Sequence, residues 1–244
     1  MPRLVIDINT ADLDVARALI EATRHLNPVY KFGLTFIYIH GVAGIKALGL
    51  SGQQVMLDLK AVDTPNTVST ALRAVFDSIR PTLVTLYPDD SGRHVDAVRE
   101  LVDKEGIGAR LLMVTVLTTT GESRLADYQK TLEGEIFQAG HTTLKGLVLG
   151  RACVAKKYGA HGIVCSVREL GMIRTNLSWP GMASATPGIR FQWATWVKSG
   201  DDQARTATLR QAIQAKAGYV VIGRPISGAL NVREAATLIS TQLN

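Results

Sequence analysis

Asp58, Lys60 and Asp63 lie close together in the stretch Val55-Met56-Leu57-Asp58-Leu59-Lys60-Ala61-Val62-Asp63-Thr64-Pro65-Asn66-Thr67-Val68. An ammonium held among carboxylates can move a proton at carbon or steady a developing carbanion, provided the charges converge. The stretch begins as an apolar strand and ends in a turn. Asp58 and Lys60 are two apart, so an extended strand points both to one face. Pro65 fits the first turn of a helix, with Asp63 or Thr64 available to cap it. A strand with Asp and Lys on one face, running straight into a helix, has the form of the upper end of a (β/α)-barrel strand. The plain alternative is a surface ion pair, which contributes only about 0–1 kcal/mol. The apolar run before Asp58 and the third charge at Asp63 favour a buried mouth carrying functional groups.

The rest of the chain supplies elements that could position such a mouth. Arg3 to Ile8 reads as strand one, followed by a helix capped by Thr10 or Asp12 with Val15, Leu19 and Ile20 on its buried side. Pro28 to Gly33 is strand two. Phe36, Ile37, Ile45 and Leu48 suit a second helix that Gly41 and Gly44 weaken. Gln53 to Asp58 is strand three, and Pro65 to Ile79 its helix. Thr82 to Leu86 is strand four, with Val95, Val98 and Leu101 marking the next helix. Arg110 to Leu117 is strand five, followed by an interrupted helical region from Glu122 to about Lys157. Gly162 to Cys165 is strand six, with Leu170 and Ile173 on its helix. Met182 to Thr186 is strand seven, and Tyr219 to Ile222 strand eight. Helices are expected from Ala207 to Ala217 and from Ala229 to Leu243. Uniformly apolar strands alternating with helices imply a parallel sheet covered by those helices. Eight of them in 244 residues imply an α/β fold of the closed (β/α)8 TIM-barrel type. No repeat, linker or low-complexity run divides the chain, so residues 1–244 read as a single domain. No G-x-G-x-x-G follows strand one, which removes the main support for a dinucleotide fold.

Active sites of such barrels lie at the C-terminal ends of the strands. Those ends carry Asp7, Lys31, Asp58, Lys60, Thr118-Thr119, Pro187-Gly188 and Gly223-Arg224. Two lysines and two or three carboxylates would meet there, which is tolerable only if opposite charges alternate. Gly223 permits close backbone approach and Arg224 offers a forked donor. Loops after strands seven and eight often bind phosphate in this architecture, and Gln203 on the preceding long loop adds to that reading. Taken alone, Gly-Arg-Pro reads as an ordinary turn with a solvated Arg.

Composition narrows the function classes. Lys and Arg number 27 against 21 Asp and Glu, a formal charge of +6, with a pI near 9.4. The basic residues are scattered without interleaved aromatics, which argues against nucleic acid and for a small anionic substrate. Two cysteines, Cys153 and Cys165, cannot make a disulfide framework. The five histidines make no zinc-ligand spacing, so no metal is expected. No apolar run reaches membrane-spanning length, and Asp7 interrupts any signal-peptide core. A cytoplasmic setting is the expectation.

The run Asp58-Leu-Lys60-Ala-Val-Asp63-Thr-Pro-Asn66-Thr67 resembles the D-x-K-x-x-D-x-x-x-T signature of the orotidine 5′-monophosphate decarboxylases. Thr186-Pro187-Gly188-Ile189-Arg190, Gly200-Asp201-Asp202-Gln203 and Ile222-Gly223-Arg224-Pro225-Ile226 are similar to that family in order and spacing. So are Lys31-Phe-Gly33 and Val114-Thr-Val-Leu117-Thr118, and the resemblance spans Leu4 to about Ile226. It implies decarboxylation of orotidylate to UMP, free of metal and cofactor, in de novo pyrimidine biosynthesis. On matching positions, Lys60 would protonate C6 of the pyrimidine and Asp58 would face the departing carboxylate. Lys31 would sit between Asp58 and the ribose, and Asp7 would bind ribose hydroxyls. Asp63 and Thr67 would come from the partner subunit of a homodimer with shared active sites. Thr119 would stand where the family has a Ser that bonds the pyrimidine, and Pro187 would border the base. Gln203, Gly223 and Arg224 would hold the phosphate, and the loop between Ile189 and Gln203 would act as a lid.

Thr64 stands where the family commonly has Ile, Thr119 replaces Ser, and Trp193 and Trp196 make the lid aromatic; packing the lid onto the barrel is their simplest role. The D-x-K-x-x-D piece is shared with sugar-phosphate decarboxylases and synthases on the same barrel, which use magnesium to stabilise an enediolate. A non-catalytic phosphate-ligand binder is the reading from another class, and it gives Asp58 and Asp63 no task.

Overall fold

The computed structural model describes residues 1–89, 92–121, 143–191, 193 and 203–243. Eight strands close into a parallel barrel: β1 (Arg3–Ile8), β2 (Val29–Gly33), β3 (Gln54–Ala61), β4 (Leu83–Leu86), β5 (Arg110–Val114), β6 (Gly162–Val164), β7 (Ala183–Thr186) and β10 (Tyr219–Ile222). Strands β1 to β7 neighbour one another in sequence order, and β10 closes the ring between β7 and β1. Two further strands, β8 (Ile189–Arg190) and β9 (Ala207–Thr208), form a small separate parallel sheet beside the barrel.

Alternation along each strand sorts side chains into two cores. Val5, Val29, Met56, Leu83, Leu112, Ala183, Ala185, Tyr219 and Val221 pack inside the barrel. Ile6, Ile8, Tyr30, Phe32, Leu57, Leu86, Met113, Ile163 and Ile222 face outward and pack under the helices. One step above the apolar inner layer, the same inward parity carries Asp7, Lys31, Asp58, Thr85 and Val114. The polar layer therefore begins where the apolar filling stops.

The covering helices are α1 (Leu13–Thr23), α2 (Leu34–Ala47), α3 (Pro65–Ser78), α4 (Arg93–Lys104), α5 (Leu144–Lys157), α6 (Val167–Asn176), α7 (Leu209–Gln214), the short α8 (Arg224–Ser227) and α9 (Val232–Leu243). Asp12 caps α1, its carboxylate accepting from the backbone N–H groups of Asp14 and Val15. Thr64, not Asp63, caps α3. Gly41 breaks α2 with a left-handed φ of 58°, as the glycines in that stretch foretold. No helix among the described residues is long and apolar enough to cross a membrane.

Several sequence expectations need correction. Val15 is 52% exposed, because the buried stripe of α1 runs through Ala16, Leu19, Ile20 and Thr23. Strand five was expected to reach Leu117 but ends at Val114. Beyond it, the Thr115 carbonyl accepts from Arg151 at 2.6 Å. The Val116 and Leu117 carbonyls accept from Arg205 at 2.7 and 2.8 Å. Arginines take these carbonyls, while the Thr115 N–H still bonds the Val164 carbonyl of β6 at 3.0 Å. The helix expected from Ala207 starts at Leu209, since Ala207 and Thr208 pair with β8 first. The helix expected from Ala229 starts at Val232, preceded by α8. Of the region Glu122 to Lys157, residues 122–142 lie outside the described residues; the remainder contains α5.

Candidate active site

Four charged side chains alternate in sign across the barrel mouth. Lys31 Nζ lies 2.8 Å from Asp7 Oδ1 and 3.0 Å from Asp58 Oδ2. Lys60 Nζ lies 2.9 Å from Asp58 Oδ1. Parallel register sets Asp7 opposite Lys31, and the next strand brings Asp58 alongside, opposite Gly33. Side-chain exposure falls from 30% at Lys60 to 15% at Asp58 and 10% at Lys31. Burial by itself would push the Lys31 ammonium towards neutrality, but the Asp7 and Asp58 carboxylates override it and raise its pKa above the usual lysine value. Burial would likewise favour the neutral acid at Asp58, but Lys31 and Lys60 hold this carboxyl well below the usual carboxylate range. Alternation of sign lets four charges share a mostly buried site.

The link between Asp58 and Lys60 is not the simple strand face expected from their spacing. The stretch Leu57 to Ala61 of β3 faces only Val84 to Leu86 of β4, so β3 bulges. Lys60 takes a left-handed backbone with φ 50°, which costs an L-residue roughly 1–2 kcal/mol. Thr85 sits in the gap of the bulge. Its hydroxyl accepts from the Lys60 backbone N–H at 3.0 Å and donates to Asp58 Oδ1 at 2.9 Å.

Two cavities open above the array. One, of about 240 Å³, is lined by Lys31, Asp58 and Lys60, by apolar Met56, Val114, Val116, Leu117, Val164 and Cys165, and by Thr118 and Thr119. Charges on one side and apolar walls around suit a flat, polar-edged ring. The other, of about 510 Å³, is lined by Asn9, Gly188, Ile189, Arg190, Gly223, Arg224, Pro225 and Ser227. Its two guanidinium groups suit an anion with forked acceptors. Asp7, Pro187, Gln203 and Val221 line both cavities.

The loops around the second cavity are held closely. Gly188 has φ +80°, and a Cβ there would lie 2.9 Å from the Arg205 carbonyl oxygen; only glycine fits without adjustment. A Cβ at Gly223 would come within 3.3 Å of the Asp7 Cβ. The β8–β9 pair brackets the long loop and sets Arg190 at the cavity edge. Arg205 anchors the returning chain by pairing with buried Glu169 at 3.0 Å and by its bonds to β5's continuation. Thr118 donates to the Gln203 side-chain oxygen, which ties the end of β5 to the wall between the cavities.

Asp7, Lys31, Asp58, Lys60, Thr119, Pro187, Gln203, Gly223 and Arg224 thus meet around the two cavities. Asp63 and Thr67 are not among the lining residues. Both are exposed; Asp63 accepts from the Thr64 backbone N–H at 2.6 Å, and Thr67 bonds the Thr64 hydroxyl at 2.9 Å. Phe191 and Trp193 pack with ring centroids 5.2 Å apart; Trp196, Gly200, Asp201 and Asp202 lie outside the described residues. Sequence reasoning passed over Thr85, Cys165 and Arg190 as site residues, whereas Thr118, read at a strand end, does line the smaller cavity. Inward parity two residues after Leu83 is the signal that would have singled out Thr85.

A model of the "Orotidine 5′-phosphate decarboxylase / HUMPS family" matches residues 2–239. The chain is 32% identical over 243 residues to the orotidine 5′-phosphate decarboxylase of Wolbachia pipientis subsp. Culex pipiens, covering 100% of this chain and 99% of the relative. It is 33% identical over 242 residues to that of Methylobacterium radiotolerans, covering 99% and 96%. The crystal structure of orotidine 5′-phosphate decarboxylase from Lactobacillus acidophilus superposes with a TM-score of 0.79 at 23% identity, covering both chains fully. That from Methanocaldococcus jannaschii, complexed with the inhibitor BMP, gives 0.75 at 20% identity, covering 100% of this chain and 99% of that one.

Proposed function

The chain belongs to the orotidine 5′-phosphate decarboxylase / HUMPS family, and on that premise we propose that it is a carboxy-lyase converting orotidylate to UMP and carbon dioxide. The observation that carries this reading is that the two cavities adjoin, with Asp7, Pro187, Gln203 and Val221 lining both. A ring seated over the Lys31–Asp58–Lys60 array would place its ribose at Asp7 and its phosphate at Arg190, Gln203 and Arg224. A nucleoside monophosphate has those parts in that order.

In the proposed reaction the bond from C6 to the carboxylate carbon breaks, and its electron pair stays on C6. Carbon dioxide leaves, a proton passes from Lys60 Nζ to C6, and Lys60 regains one from solvent. Asp58 faces the departing carboxylate. Lys31 fixes Asp58 and Asp7 in place, so the cationic groups near C6 need no reorganisation as charge develops. Phosphate binding, remote from C6, supplies energy for alignment. The Asp58 oxygens already have ammonium and hydroxyl partners, which favours a mechanism without metal or cofactor over the magnesium-dependent sugar-phosphate chemistry related to this family.

Residues 1–244 are read as one barrel domain working in a homodimer in the cytoplasm, without nucleic-acid or membrane partners. Support for the dimer comes from exposed Leu34, Tyr38 and Ile39 on α2 and Val62 just after β3, at the C-terminal ends of neighbouring strands. Burying them would carry Asp63 and Thr67 towards a second barrel mouth.

The test is to incubate the purified protein with orotidylate and a chelator and to follow loss of orotidylate absorbance and formation of UMP. Turnover in chelator is expected. Binding of UMP without turnover, or turnover only on adding magnesium, would overturn the reading.

A further inference from the structure

The bulge in β3 poses a problem that the backbone alone does not solve. Between Leu57 and Ala61 the β3–β4 ladder is interrupted, so the Lys60 N–H loses its strand partner while its residue holds a left-handed conformation. A buried donor left unpaired is destabilising, and the chain needs an acceptor at that point. Thr85 supplies it. Thr85 is fully buried, and the inner-core residues Leu83, on its own strand, and Leu112, on neighbouring β5, belong to the layer beneath it.

The polarity of the two Thr85 hydrogen bonds is fixed. A backbone N–H can only donate and a carboxylate can only accept, so the hydroxyl must receive from Lys60 and give to Asp58. One side chain therefore sets the backbone of the proton donor and orients the carboxylate paired with its ammonium. Reorienting either group would break a bond in a buried site, so neither can shift independently.

We infer that Thr85 is a positioning residue for the Lys60–Asp58 pair, acting through its hydroxyl and without touching substrate. The inference rests on the decarboxylase reading. Its consequence is selective: removing the hydroxyl disturbs where Lys60 Nζ stands relative to the reacting carbon and leaves the ribose and phosphate contacts untouched. Misplacement of a catalytic group on the order of 1 Å costs about 10²-fold in rate.

The experiment compares wild type, Thr85→Val and Thr85→Ser for kcat and KM with orotidylate, affinity for UMP, and thermal melting. Val keeps the branched shape and removes the hydroxyl; Ser keeps the hydroxyl. For Thr85→Val, kcat and kcat/KM are expected to fall together by about 10²-fold with KM and UMP affinity unchanged. Thr85→Ser is expected to recover most of that loss. If Thr85→Val does not fold, Thr85→Ala replaces it, differing from Thr85→Ser by one oxygen. Wild-type rates in the hydroxyl-free variant, or equal losses with and without the hydroxyl, would overturn the inference and leave the decarboxylase reading standing. Absence of wild-type turnover would overturn both.

Discussion

Asp58 Oδ1 and Lys60 Nζ stand 2.9 Å apart across a stretch of β3 that departs from a regular strand. Lys60 holds a left-handed backbone there, with φ 50°, and the Thr85 hydroxyl bonds both its N–H and the Asp58 carboxylate. The pair then joins the Lys31 and Asp7 charges in one array.

That array predicts a defined pH dependence of stability. The folded-state pKa of Asp58 lies below its ordinary 3.8. Below that ordinary value the unfolded chain binds a proton that the native one does not, so the stabilisation is present above pH 3.8 and is lost as pH falls through the lower folded-state value. Lys31 is raised above its ordinary 10.5; its stabilisation is full below that pH and lost as pH rises through the folded-state value. Urea unfolding of wild type and Asp58→Asn from neutral to acid pH should show a constant difference that shrinks only below pH 3.8. A difference that shrinks already near neutrality would show that Asp58 is not held ionised by its lysines.

Arg224 and Arg190 line the larger cavity. Replacing Arg224 with Ala should weaken UMP binding by about 1.5–3 kcal/mol, the worth of hydrogen bonds to charged groups. Arg190→Ala should act in the same direction. The control is the nucleoside orotidine, which lacks the phosphate. Equal damage to nucleotide and nucleoside in titration calorimetry would contradict a phosphate site here.

Asp63 is exposed and lines neither cavity at its own barrel mouth, so a dimer with shared sites predicts complementation. Inactive Lys60→Ala and Asp63→Ala proteins, mixed under conditions of subunit exchange, should regain activity, because each mixed dimer has one site with both groups intact. If Asp63 acts within its own subunit, no activity returns despite exchange. If it serves only its own loop, where it bonds the Thr64 N–H, Asp63→Ala alone stays active.

The barrel was legible because buried parallel strands are apolar on both faces, and short runs such as Tyr219 to Ile222 announce themselves. The charged layer was legible because Asp7, Lys31 and Asp58 sit at the ends of such runs. The bulge was not: no glycine or asparagine marks Lys60, and its conformation is sustained by Thr85 on another strand. Likewise, beyond the end of β5 at Val114 the next carbonyls are taken by Arg151 and Arg205, distant in sequence. The β8–β9 pair is too short to leave a periodic trace. Local pattern is enough for the apolar strands; a tertiary partner decides the backbone at Lys60.

Turnover by Lys60→Ala, measured beside its affinity for UMP, decides whether Lys60 is the proton donor. Lys60 lies at the barrel mouth, paired to Asp58 and lining the smaller cavity, and is proposed to deliver the proton to C6. The variant is expected to fold, still bind UMP measurably, and show no decarboxylation of orotidylate. A rate reduced only a few-fold would contradict that role, because another group would then be supplying the proton.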